Sequence, residues 1–147
     1  MIGRAFRRPG LILLGCAIAL LGAFAIRAVV GSGPARVSQV PATLPSSGVN
    51  VNGEIILKPV GSPIDGALSK TAAIAAARRA APSKRTFPAT AFEANITVPN
   101  SNLTDVPAWV VTFTRADPVS VEKHLVRHFT LVLNPATGKS MFGFFTE

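Results

Sequence analysis

Residues 11–26, LILLGCAIALLGAFAI, run without a charge directly behind Arg4, Arg7 and Arg8. A basic segment followed by an uncharged apolar run is a membrane-targeting signal, and under the positive-inside rule the chain beyond it is expected outside the cytoplasm. A helix rises about 1.5 Å per residue, so this run reaches about 24 Å, short of the roughly 30 Å hydrocarbon core. Extension to Val30 closes the gap and includes Arg27, whose side chain snorkels toward the headgroups. The expected layout is a basic cytoplasmic segment over residues 1–10 and a transmembrane anchor or signal over 11–30. A Pro/Gly/Ser-rich linker over 31–47 and an extracytoplasmic domain over 48–147 follow. This predicts a single-pass cell-membrane protein. Two processed forms compete. Ala23-Phe24-Ala25 offers an A-x-A site, so cleavage near Ala25 would secrete the domain. Leu13-Leu14-Gly15-Cys16 resembles a lipobox, but a lipidated cysteine ordinarily ends the apolar region, and here that region continues for ten residues.

The anchor also explains the charge. The chain carries a formal +8, which by itself points to nucleic acid or acidic surfaces. Five of its arginines lie at or before Arg36, and the remainder has ten Lys and Arg against seven Asp and Glu, a net +3. No nucleic-acid partner is therefore expected. Cys16, the sole cysteine, lies within the apolar run, so the exported part has no disulfide or thiol site of its own.

Beyond the anchor, GSGPARVSQVPATLPSS (31–47) reads as a tether stiffened by Pro34, Pro41 and Pro45. Residues 49–59 alternate enough to form one short strand. The segment 69–81, SKTAAIAAARRAA, predicts a helix because alanine has the highest helix propensity, Ser69 is a good N-cap and Pro82 stops it. Ile74, Ala77 and Ala81, flanked by Ala73 and Ala80, mark its expected buried stripe. AWVVTFT (108–114) and 128–133 alternate as strands, and 87–98 adds a further one. Asn134-Pro135-Ala136-Thr137-Gly138 then supplies turn chemistry before a strand over 140–145, making a hairpin. Pro99 to Pro107 and Ala116 to Ser120 read as loops.

The Ala-rich helix AIAAARRAAP, the strand AWVVTFT and the terminal hairpin TLVLNPATGKSMFGF together resemble the PepSY or PepSY-like domain over residues 69–144. The structural turn Asn134, Pro135, Thr137 and Gly138 matches that family's hairpin, with Asn134 in place of its usual aspartate and a proline added. The resemblance implies an α+β fold in which the helix packs on an antiparallel sheet of three to five strands. It also implies a membrane-anchored envelope module that binds or modulates a peptidase or another envelope protein, with no catalytic residues and no cofactor.

Among residues that carry chemistry, His124 and His128 form H-x-x-x-H. That spacing puts both imidazoles on one face of a helix or a strand, and a metal-binding site or a metal-dependent hydrolase is the alternative it raises. Leu125 stands where an HExxH motif needs glutamate, and no serine sits in G-x-S-x-G. Arg78, Arg79, Lys84 and Arg85 concentrate four cations within eight residues, an alternative contact for anionic lipid or wall polymer. Arg78 and Arg79 also meet the negative end of the helix dipole. Phe144 and Phe145 point to opposite faces of a strand, so one of them is expected at an exposed edge.

Overall fold

The computed structural model describes residues 33–121 and 123–147. The expected basic segment and anchor, Cys16 and the Ala25 site all lie outside the described residues. Among those residues no helix is long and apolar enough to cross a membrane.

Residues 33–147 build one seven-stranded sheet with one α-helix. The strands are β1 (Ala35–Val37), β2 (Val49–Val51), β3 (Ile55–Pro59), β4 (Ala89–Thr97), β5 (Val106–Val121), β6 (His124–Leu133) and β7 (Ser140–Thr146). The helix α1 spans Lys70–Ala80, and a 3-10 turn follows at Pro82–Lys84. Spatial order follows chain order from β1 to β7. The β1–β2 pair is parallel and the other five pairs are antiparallel.

This architecture corrects the expected antiparallel sheet of three to five strands: the sheet is mixed and has seven. Two features of the chain account for the difference, and a third lengthens β5. The stretch read as a tether supplies β1, and Val37, Val40 and Leu44 from it pack against the sheet. The single strand read over 49–59 is two strands, because Asn52 and Gly53 adopt φ of 52° and 82° and reverse the chain. Asparagine and glycine tolerate that left-handed region better than other residues. Arg36 of β1 holds the reversal by donating from Nη2 to Asn52 O at 2.9 Å. Finally, 116–120, read as a loop, belongs to β5. Pairing passes from Thr114↔His128 to Val119↔Val126, so four residues of β5 stand opposite one of β6. A bulge of this kind bends a strand without ending it.

The helix forms where alanine predominates. Ser69 Oγ accepts from Ala72 N at 3.3 Å, and Arg78 and Arg79 occupy the last turn. Its buried face is Ala73, Ala76 and Ala77, with Ile74 and Ala81 partly buried; Ala80 is exposed, so the stripe is rotated from the expected one. These small side chains let α1 lie close over Ala91 of β4, Trp109, Val111 and Phe113 of β5, and Leu131 and Leu133 of β6.

The opposite sheet face is equally apolar. Val49, Val51, Ile55, Leu57, Ala94, Ile96, Ala108, Val110 and Val132 form one cluster, joined by Phe142 and Phe144 of β7. Leu57, Ile96, Val110 and Val132 are fully buried there although α1 lies on the other side. The sheet achieves this by curling. Asn52 and Glu54 of the β2–β3 turn line a common cleft with Phe145 and Thr146 of β7, so the two ends of the sheet approach each other across the curled face.

Candidate functional site

The terminal hairpin is fixed to the core by its turn. Asn134 Oδ1 accepts from Ala136 N at 3.2 Å, Thr137 N at 3.0 Å and Thr137 Oγ1 at 3.0 Å. Gly138, at φ 68°, donates its N–H to Asn134 O at 2.9 Å. Pro135 O accepts from Leu68 N at 2.8 Å, and Leu68 O accepts from Trp109 Nε1 at 3.0 Å. These four turn residues therefore anchor β7 and the start of α1 to the central strand.

The two histidines do not converge. Both lie on β6 with Val126 and side chains on the same face. Four residues of strand at about 3.3 Å each separate them by roughly 13 Å, too far to share a cation. No group of three or more His, Cys, Asp or Glu that could hold a metal ion occurs among the described residues. The reason the two candidates stand apart is simple: i and i+4 are neighbours on a helix but not on a strand. His124 is exposed and lines the cleft of about 450 Å³ with Asn52, Glu54, Val121, Val126, Phe145, Thr146 and Glu147. His128 is half-buried, its Nδ1 at 3.1 Å from Thr114 Oγ1. Burial, and then the neighbouring Arg127 charge, hold its pKa below the usual value of 6.5. Beside it on the curled face, Thr112 and Thr130 share a hydroxyl hydrogen bond of 2.9 Å, and Thr146 Oγ1 is buried without a partner.

The basic cluster divides. Arg79 and Arg85 are exposed, and Arg78 is half-buried with Nε lacking a partner. Lys84 turns toward aromatic rings: Nζ lies 5.6 Å from the Phe87 centroid and 5.7 Å from that of Phe129. Arg115, from the β5 bulge, lies 5.4 Å from the Phe87 centroid. All three distances are within the range of cation–π attraction. Phe129 packs on Phe145 of β7 with centroids 5.0 Å apart. Their approach depends on Gly143, where a Cβ would meet Leu131 Cδ2 at 2.9 Å and Phe129 Cζ at 3.1 Å.

Lys84, Phe87, Arg115, Arg127, Phe129 and Phe145 thus line one shallow depression, whose lining includes three cations and, among the described residues, no carboxylate. Leu125 at 63% and Phe145 at 43% are the exposed large hydrophobics among the described residues. Alternation places Leu125, Arg127, Phe129 and Phe145 on one face of the β6–β7 ribbon. Sequence reasoning singled out Lys84 and an exposed phenylalanine but missed Arg115, Arg127 and Leu125. Only the strand pairing across the bulge brings Arg115 and Arg127 together.

β7 is also an edge. It pairs with β6 and, among the described residues, with no other strand. Its seven residues, SMFGFFT, hold no charge and no proline, the devices that ordinarily guard an edge. Comparison of the chain with family models, curated proteins and solved structures finds no match.

Proposed function

We propose that this chain is a membrane-anchored extracytoplasmic module that binds a protein partner rather than turning over a substrate. A peptidase or another cell-envelope protein is the expected partner, and β7 is the docking edge. The observation that carries this reading is the uncharged β7 edge with Phe145 exposed on it. An unpaired strand presents a row of N–H and C=O groups that another chain satisfies by adding a strand. Lipid and wall polymer have no matching ladder, which favours protein over the anionic-surface alternative. The anchor over residues 11–30 and the external location rest on the N-terminal sequence pattern.

The test is comparative capture. Full-length chain and its Phe145→Asn variant, each in detergent, are used to capture cross-linked proteins from membranes. Asparagine removes the exposed ring and lowers strand propensity without adding charge. A peptidase or envelope protein retained by the parent chain and lost with the variant supports the reading. Identical capture by both chains would falsify β7 as the docking edge.

A further inference from the structure

Resting on the reading of β7 as a docking edge, we infer that the strand it accepts alternates acidic and apolar residues, with the acidic side chains on the Lys84, Arg115 and Arg127 face. The two faces flanking β7 differ in chemistry. On one, Phe145 packs on Phe129, Lys84 lies over Phe129, Arg115 lies over Phe87, and Arg127 joins the same depression. On the other, Phe142 and Phe144 stack with centroids 6.2 Å apart and continue the apolar cluster of the curled face.

An added strand lies about 4.8 Å beyond β7, and its successive side chains fall on alternate faces. Its acidic residues would stand one strand spacing from Phe145 and two from Phe129, on the face where Lys84, Arg115 and Arg127 line the depression. Apolar residues at the intervening positions would cover Phe142 and Phe144, which are partly exposed. Register then becomes part of recognition. A slip of one residue puts carboxylates on the apolar face and apolar groups among the cations. Lys84 and Arg115 rest on aromatic rings and Arg127 is exposed, and the depression's described lining holds no carboxylate, so an incoming carboxylate adds charge complementarity there.

The test measures fluorescence anisotropy of labelled nine-residue peptides with the full-length chain in neutral detergent at pH 7.5. One peptide alternates Glu and Val, a second alternates Lys and Val, and a third is the Glu/Val peptide N-methylated at alternate residues. Anionic phosphatidylglycerol vesicles form a separate arm. The Glu/Val peptide is expected to bind about tenfold tighter than the Lys/Val peptide, the combined effect of three exposed ion pairs, each modest alone. That preference should shrink with added salt. It should invert in the triple variant Lys84→Glu, Arg115→Glu, Arg127→Glu, and N-methylation should abolish binding.

Arg127→Glu alone guards against misfolding of the triple variant, because Arg127 is exposed and the recorded cation–ring contacts belong to Lys84 and Arg115. It should narrow the preference with circular dichroism unchanged. Equal affinity for both charged peptides, or a preference that survives charge reversal, overturns the inference. Vesicle binding without peptide binding overturns it in favour of a lipid surface. Self-association removed by Phe145→Asn overturns it in favour of a second copy of this chain. If envelope proteins are still lost with Phe145→Asn while charge preference is absent, only the acidic partner is wrong; unchanged capture removes the docking edge itself.

Discussion

Replacing Gly138 with alanine adds one methyl group where the β6–β7 turn meets the helix, and the structure assigns it two separate costs. Gly138 has φ of 68°, and a Cβ there would lie 2.8 Å from Ala76 Cβ and 2.9 Å from Leu68 Cδ1. The Ala76 Cβ is fixed to the helix backbone and is 5% exposed, so it does not yield easily, whereas Leu68 Cδ1 ends a flexible side chain and can turn aside at smaller cost. The left-handed backbone costs an alanine roughly 1–2 kcal/mol, part of which is returned by the stiffer unfolded chain. Overpacking adds about 1–3 kcal/mol. Gly138→Ala should therefore lose about 2–4 kcal/mol, a large share of the 5–15 kcal/mol typical of a domain.

Gly66 isolates the first cost, since its φ is 70° and a Cβ there meets nothing within 4 Å. Gly66→Ala should lose only about 1 kcal/mol. Urea unfolding followed by Trp109 fluorescence measures both, because Trp109 is the chain's only tryptophan and is 6% exposed. Combining Gly138→Ala with Ala76→Gly removes one of the two overlaps, so the pair should be less destabilised than the sum of the single changes. Equal losses at Gly138 and Gly66, together with strict additivity in the double variant, would refute the close packing of turn on helix.

Three further outcomes follow from the same physical reasoning. Thr112→Val should destabilise by about 1–2 kcal/mol in thermal unfolding because it strands a buried Thr130 hydroxyl, whereas Thr112→Val with Thr130→Val should lie nearer the parent. Singles as stable as the double would contradict that bond. Ser69→Ala removes the oxygen that accepts from Ala72 N and should lower the unfolding midpoint by the equivalent of about 1 kcal/mol, measured by urea titration. His128 has a lowered pKa in the folded state, so the unfolded chain binds the proton more readily. Its contribution to stability should be complete above the ordinary value of 6.5 and be lost as pH falls below it, through the lowered folded value. Unfolding midpoints measured across that window should fall less steeply in His128→Gln; an identical slope would remove the assignment.

Local chemistry made several parts of this fold legible. The helix is written in an alanine run behind a serine cap, and the final turn in an asparagine whose carbonyl can serve three donors while glycine supplies a positive φ. Alternation identified the apolar strand around Trp109. Other parts depended on distant partners. Val37, Val40 and Leu44 are too sparse to announce a strand, yet they matter once β2 offers an edge and the curled face offers a surface. Asn52-Gly53 carries turn chemistry, but the apolar residues on either side make 49–59 read as a single strand. Residues 116–120 look like a loop by composition and remain in β5 because a bulge lets the strand resume pairing.

The candidate site shows the same division. Sequence alone determined which residues can be charged, aromatic or small, and it located an apolar segment, a helix and a terminal hairpin, since those properties depend on composition and near neighbours. Tertiary structure decided which of them meet. A strand rather than a helix at residues 124–133 sends His124 and His128 about 13 Å apart. The curl of the sheet and the bulge of β5 bring Lys84, Arg115 and Arg127 around Phe87, Phe129 and Phe145. Such a constellation draws on four separated parts of the chain, and only the energy of burying both sheet faces selects the pairing that assembles it.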